Sequence, residues 1–160
     1  MPNSKLIGST GEHYIAYVLS SLGYTPALVS EGLPNIDILA SNTVGSRTVA
    51  IQVKSTTNAK RKKGRGKDKI LHHLEFPLGK KAIEDAVPEL IFCFVDLNSL
   101  NPQKIPDVYI IPATVFIEHY KDKDKDLSAV KWFRLHWGIE KMEEFKNNWQ
   151  PIHDRLSDHG

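Results

Sequence analysis

Residues 36–40, I-D-I-L-A, and 47–56, R-T-V-A-I-Q-V-K-S-T, are the stretch on which the reading of this chain turns. In the second segment Val49, Ile51 and Val53 alternate with Thr48, Ala50, Gln52 and Lys54. That is the period of two expected of a strand with one buried face. In the first segment apolar residues surround a single acid, Asp37. Residues 41–46, S-N-T-V-G-S, are turn formers, so the two segments are expected to pair as a hairpin. Gln52 and Lys54 lie two apart and therefore share a face. A carboxylate, an amide oxygen and an ammonium thus fall on adjacent core strands, where polar groups without partners are costly. Either this is the solvent face of an amphipathic hairpin or the three groups converge on a task.

Working outward, residues 10–22 predict a helix, with Ile15, Val18, Leu19 and Leu22 at helical spacing. Ser9 or Thr10 is the expected cap, Glu12 falls in the first turn, and Gly23 closes the pattern. A short strand over 26–30 precedes the hairpin, and a basic, Gly-containing loop over 58–69 follows it. A helix from 78 or 79 to 87 stops at Pro88. Residues 90–95, L-I-F-C-F-V, read as a strand covered on both sides. Then come a strand at 108–111, a helix at 113–120 and a sign-alternating exposed turn at 121–126. A strand at 132–136 and an amphipathic helix at 139–147 precede a frayed tail, 151–160. The order predicts one mixed α/β domain over residues 1–160, with a core at about 10–113 and an extension at 114–150.

The net charge of +2, from 21 Lys and Arg against 19 Asp and Glu, hides an uneven distribution. Residues 56–81 hold nine basic and two acidic residues, a surplus of seven, while the rest of the chain is acidic. Such a block is either a solvated loop or the footprint of a polyanion. No apolar run is long enough to span a membrane, and the first residues lack the apolar core of a secretion signal. The lone cysteine, Cys93, has no disulfide partner in the chain, and an intracellular location is expected. Walker A, Rossmann and zinc-finger patterns are absent, so no nucleotide cofactor is expected. His72 and His73 are adjacent and cannot share a strand face, which disfavours a zinc pair. His119 and His136 lack ligand-spaced partners. Trp132, Trp137 and Trp149 are assigned to packing.

The chemistry available to the polar strand residues is specific. Asp37 is a hard oxygen donor suited to Mg²⁺, and Gln52 adds a neutral side-chain oxygen. The backbone carbonyl of Val53 is a further donor, and Glu12 joins through a water or a second ion. Lys54 is placed to orient an attacking water or to offset charge on a phosphorane-like transition state. Ser55 and Thr56 offer hydrogen bonds to phosphate. Lys60, Arg61, Lys62, Lys63, Arg65, Lys67 and Lys69 offer charge to the same groups.

The ordered set Gly11-Glu12, Asp37, Gln52-Val53-Lys54 resembles the PD-(D/E)xK nuclease superfamily. More narrowly, it resembles the Gln-x-Lys variant found among intron-associated and restriction-like endonucleases. The resemblance covers residues 11–113 and implies a restriction-endonuclease-like αβββαβ core, a central mixed sheet flanked by helices. It also implies Mg²⁺-dependent hydrolysis of DNA phosphodiester bonds, with Mn²⁺ able to substitute, at Glu12, Asp37, Gln52 and Lys54. Gln52 stands where the superfamily usually has an acid, so the site should hold metal more weakly or lean on Glu12. A homodimer is expected, since one such site cuts one strand. Two alternatives stay open: a nucleic-acid-binding protein of this fold with weak or lost catalysis, and a structural or protein-interaction domain.

Overall fold

Asn3, not Ser9 or Thr10, starts the first helix: its side chain accepts the Leu6 N–H at 2.9 Å. Thr10 instead donates its hydroxyl to the Leu6 carbonyl within the helix, at 2.7 Å. Helix α1 therefore runs Ser4–Ser21, and Glu12 sits at its middle, away from the helix N-terminus. Its end is as expected. Gly23 has φ +88°, and the Tyr24 N–H reaches back to the Leu19 carbonyl at 3.0 Å, a Schellman closure.

The computed structural model describes residues 2–30, 33, 35–121 and 134–158. After α1 come β1 (Thr25–Leu28), β2 (Ile38–Ser41), β3 (Thr48–Thr56), β4 (Lys60–Lys63), β5 (Ile70–Pro77) and α2 (Lys80–Glu84). These are followed by β6 (Ile91–Asp96), β7 (Asp107–Pro112), α3 (Ala113–Lys121), β8 (Arg134–Gly138), α4 (Ile139–Glu143) and α5 (Gln150–Leu156). The main sheet has the order β1-β2-β3-β6-β7. All its pairs are antiparallel except β3–β6. The hairpin expected from 36–54 is present as β2–β3, with Ile38 opposite Ile51. β6 is buried at every position, because strands lie on both sides of it and packed layers above and below.

Each face of this sheet has its own core. On one, Ile15 and Leu19 of α1 and Ile152 and Leu156 of α5 cover Ile38, Ile51, Ile91 and Cys93. On the other, Phe92, Phe94, Tyr109 and Ile111 lie beneath Phe76, Leu135, Trp137 and Phe116.

Three expectations are corrected here. The basic segment is not a loop: it forms the β4–β5 hairpin, and with β8 a second, three-stranded sheet. Helices thus cover one face of the main sheet, while the other is shared between this second sheet and short helices. Alternation was hidden at 60–63 because all four residues are cationic. The tail does not fray through 150–156. Pro151 sits in the first turn of α5, and Ile152 and Leu156, four apart, anchor that helix in the core. Finally, α2 ends at Glu84 and α4 at Glu143, both earlier than expected. Of the turn expected at 121–126, all but Lys121 lies outside the described residues, as do Trp132 and Phe133. No helix among the described residues is long and apolar enough to cross a membrane.

Candidate active site

Asp37 ends the approach to β2, immediately before the paired segment, and its carboxylate accepts the Val53 N–H at 2.7 Å. One hydrogen bond thereby ties the acid to the strand that carries Gln52 and Lys54. The N–H and C=O of a strand residue point to the same edge. The Val53 carbonyl accordingly faces Asp37, past the end of the β2 ladder. Glu12 arrives from α1, whose closeness to β3 depends on Gly11. A Cβ at that position would stand 1.7 Å from Ser55 Oγ, so only glycine lets helix and strand touch there.

These residues open onto one cleft of about 420 Å³, lined among others by Glu12, Asp37, Gln52, Val53, Lys54 and Thr56. A second hollow, of about 450 Å³, shares Glu12 and Asp37 and continues toward Val29, Ser30 and Ile36. Ser4, Gly8, Glu12 and Asp37 border both spaces.

The electrostatics of the cleft are those of a crowded, partly dry site. Burial raises the Glu12 carboxyl above its ordinary range, and the neighbouring Asp37 charge raises it further, against a smaller opposing effect of His13. Burial also raises Asp37, opposed by the Val53 hydrogen bond and by Lys54. Burial lowers Lys54, with Asp37 acting the other way. Two carboxylates that feel each other, next to an ammonium with weakened hold on its proton, form a perturbed cluster of the kind found at functional sites.

Gln52 supplies the most pointed observation. It is 5% exposed, and its Oε1 is buried with no hydrogen-bond partner among the described residues. A buried oxygen without a donor costs about 1–3 kcal/mol unless something else satisfies it. Among the described residues no three His, Cys, Asp or Glu side chains are placed to share a metal. The oxygen-bearing residues that border the cleft are Glu12 and Asp37 with their carboxylates, Gln52 with its partnerless amide oxygen, and Val53 with its backbone carbonyl. This all-oxygen set fits a hard divalent cation.

The remaining sequence candidates separate. Thr56 lines the cleft. Ser55 lines it too, but its Oγ is buried beneath Gly11 and has no hydrogen-bond partner among the described residues. Lys60 lies 3.2 Å from Asp107 and 3.6 Å from the buried Asp96. Arg61 is paired with Glu75 at 3.2 Å. Lys62, Lys63, Arg65, Lys67 and Lys69 are exposed along the hairpin. His73 and His136 meet after all, stacked at 3.8 Å across β5 and β8, but face to face and not converging on a point. Trp137 is buried as expected.

Ser4, Gly8 and Pro77 also line the cleft and were missed by the sequence reading. The signal was present: Ser4, Gly8 and Glu12 fall at i, i+4 and i+8, one helix face carrying small residues. It is invisible when the helix is begun at residue 10.

No family model matches the chain, and no curated protein matches it. Solved structures do. A bacterial homing endonuclease, I-Ssp6803I, superposes with a TM-score of 0.60 at 13% identity, covering 96% of this chain and 94% of that one. Hjc, a Holliday junction resolvase from the archaeal hyperthermophile Archaeoglobus fulgidus, gives a TM-score of 0.53 at 16% identity, covering 94% and 98%. At these identities the likeness is one of fold. The chain has the mixed α/β architecture, a central sheet with packed layers on both faces, that these nuclease-fold structures share.

Proposed function

We propose that this protein is a metal-dependent endonuclease that hydrolyses phosphodiester bonds in DNA. The observation that carries the reading is the partnerless Gln52 Oε1, on a residue that lines the same cleft as Asp37, Glu12 and Lys54. Asp37, Gln52, the Val53 carbonyl and Glu12 are the groups that would hold a divalent ion, Mg²⁺ by donor type, with Mn²⁺ as substitute. Such an ion, when bound, supplies positive charge that eases deprotonation of water and offsets charge developing on phosphate.

The chain's own residues do the rest. Asp37 is held in register by the Val53 N–H, so its free oxygen keeps a fixed direction. Glu12, raised by burial and by the Asp37 charge, would be relieved by a bound cation. Lys54, its proton loosened by burial, is suited to orient a water and to stabilise the negative charge that builds on the phosphoryl oxygens. Thr56, on the same wall, offers a hydrogen bond to phosphate. The exposed cations of the β4–β5 hairpin hold the DNA backbone near this cleft.

The similar structures, one a homing endonuclease and one a Holliday junction resolvase, support a DNA substrate. One cleft attacks one strand, so cutting both strands calls for two copies of the chain. A lone buried cysteine suits a reducing compartment, and we place the protein inside the cell.

A second reading rests on the same glutamine. With Gln52 in place of an acid the site has one anionic donor fewer, which favours a protein that binds DNA and cuts it slowly. Nicking of supercoiled and branched DNA with Mg²⁺ or Mn²⁺, alongside Lys54→Ala and Asp37→Asn, separates the possibilities. Metal-dependent nicking lost in both variants is the expected result. Salt-sensitive binding without nicking selects the second reading. Absence of DNA binding at low salt overturns both and leaves a protein-interaction domain.

A further inference from the structure

The cations of the β4–β5 ribbon divide by what they touch. At its base Lys60 Nζ donates to Asn98 Oδ1 at 2.8 Å and pairs with Asp107 and Asp96. Arg61 pairs with Glu75 and donates to the Asn58 carbonyl at 2.8 Å. These two are occupied in fastening the ribbon to the rim of the main sheet and to itself. Farther out, Lys62, Lys63, Arg65, Lys67 and Lys69 pair with no acid among the described residues. Two large aliphatic side chains stand exposed among them: Ile70 at 69% and Leu71 at 41%.

The register pairs Lys63 with Ile70 and Lys62 with Leu71. Successive strand residues point to opposite faces, so each face of the ribbon's outer part carries one cation and one aliphatic group. A flat anionic surface is met by cations on one side only. Cations on both faces, each beside an apolar group, match a groove instead. Its two walls are phosphate, and its floor offers base edges and thymine methyls. The B-DNA major groove, about 12 Å wide, admits a two-stranded ribbon.

We propose that the outer half of the β4–β5 ribbon enters the major groove of duplex DNA, its two faces turned to the two walls, with Lys62 and Lys63 on opposite phosphate walls and Leu71 and Ile70 beside them, each packing against the apolar edge of the bases next to its own wall. The proposal rests on the reading of this chain as acting on DNA. Pro77, at the other end of β5, lines the cleft. The run from Pro77 back to Ile70 is about 23 Å of strand, or roughly seven base pairs at ~3.4 Å each. The grip and the bond attacked are then at most roughly two-thirds of a turn apart along the duplex.

The test is binding of the full chain to a labelled duplex in EDTA, by fluorescence anisotropy over a series of NaCl concentrations. Lys62→Ala/Lys63→Ala is expected to lower the slope of log K against log salt by about two. Ile70→Ser/Leu71→Ser is expected to weaken binding about tenfold with the slope unchanged. Lys60→Ala is expected to lower the melting temperature and leave the slope alone. An unchanged slope in the lysine pair, or unchanged affinity in the aliphatic pair, overturns the proposal. So does equal affinity for duplex RNA, whose deep, narrow major groove side chains cannot read. The catalytic reading is judged separately: if no metal-dependent nicking is found while these binding results hold, that reading fails and the ribbon stands. If nicking is found and the ribbon variants bind as the parent does, the ribbon falls and the catalytic reading stands.

Discussion

Substituting alanine for Gly11 is a change whose consequence can be worked from distances. The added Cβ would lie 1.7 Å from Ser55 Oγ, 2.9 Å from Ser55 Cβ and 3.5 Å from Val53 Cγ1. Non-bonded carbon atoms rest about 3.5–4.0 Å apart. Rotating Ser55 moves its hydroxyl but not its Cβ, so α1 and β3 must separate by on the order of 1 Å to restore ordinary contact. Overpacking of this kind costs about 1–3 kcal/mol, and alanine returns about 1 kcal/mol in helix propensity. The net loss is therefore about 0–2 kcal/mol, a melting-temperature drop of at most about 8 °C for a chain of this size. The effect on chemistry should be far larger, because Glu12 is the next residue and moves with the helix. A displacement of about 1 Å at a reacting site can cost about a hundredfold in rate. Gly11→Ala is thus expected to fold, to bind DNA as before, and to lose about a hundredfold in Mg²⁺-dependent nicking. Mn²⁺ binding, followed by isothermal titration calorimetry, should weaken in parallel. Adding Ser55→Gly removes both of the closest clashing atoms, and the double variant should recover metal binding and nicking together. Wild-type nicking by Gly11→Ala, or no recovery in an equally stable double variant, would refute the reasoning.

Other outcomes follow from single contacts. Asp37→Asn keeps an acceptor for the Val53 N–H. It should therefore hold its stability while losing metal binding, whereas Asp37→Ala leaves that donor alone and should unfold about 1–3 kcal/mol more easily in urea. Glu12 is raised by burial and by Asp37, and Asp37 by burial. A carboxylate raised in the folded state contributes stability that is full below about pH 4 and lost as pH rises through the raised value. Glu12→Gln should accordingly raise the melting temperature in EDTA near neutral pH and shift it little at pH 4; equal shifts at both would count against a desolvated Glu12. Cys93 is fully buried in β6, and burial pushes its thiol upward. It should react with Ellman's reagent only as fast as the protein unfolds, and rapid labelling of the native chain would contradict the packing of that strand.

Much of the candidate site is legible in the sequence. Asp37, Gln52 and Lys54 are conspicuous because polar side chains interrupt strand patterns that otherwise bury apolar ones. A short turn between two such strands leaves few ways to pair them. What misled was local ambiguity. Thr10 is a good capping residue, yet Asn3 begins the helix seven residues earlier, and Thr10 hydrogen-bonds inside it. A run of four cations shows no alternation of polarity, so β4 has no strand signature of its own and is made a strand by β5 beside it.

The sequence by itself determined the hairpin that carries the polar cluster, the central apolar strand β6 and the charge imbalance that marks the basic segment. Each follows from periodicity or composition within a few neighbouring residues. Only the tertiary structure decided that Glu12 reaches Asp37, because that depends on how closely α1 approaches β3 at Gly11 and Ser55, two positions 44 residues apart. It also decided which cations of the ribbon are available. Lys60 and Arg61 look like their neighbours in the chain, but Asp96, Asp107 and Glu75 engage them, and those acids are brought there by other strands. Charge is a property of composition, but its availability depends on which opposite charges the fold brings within reach.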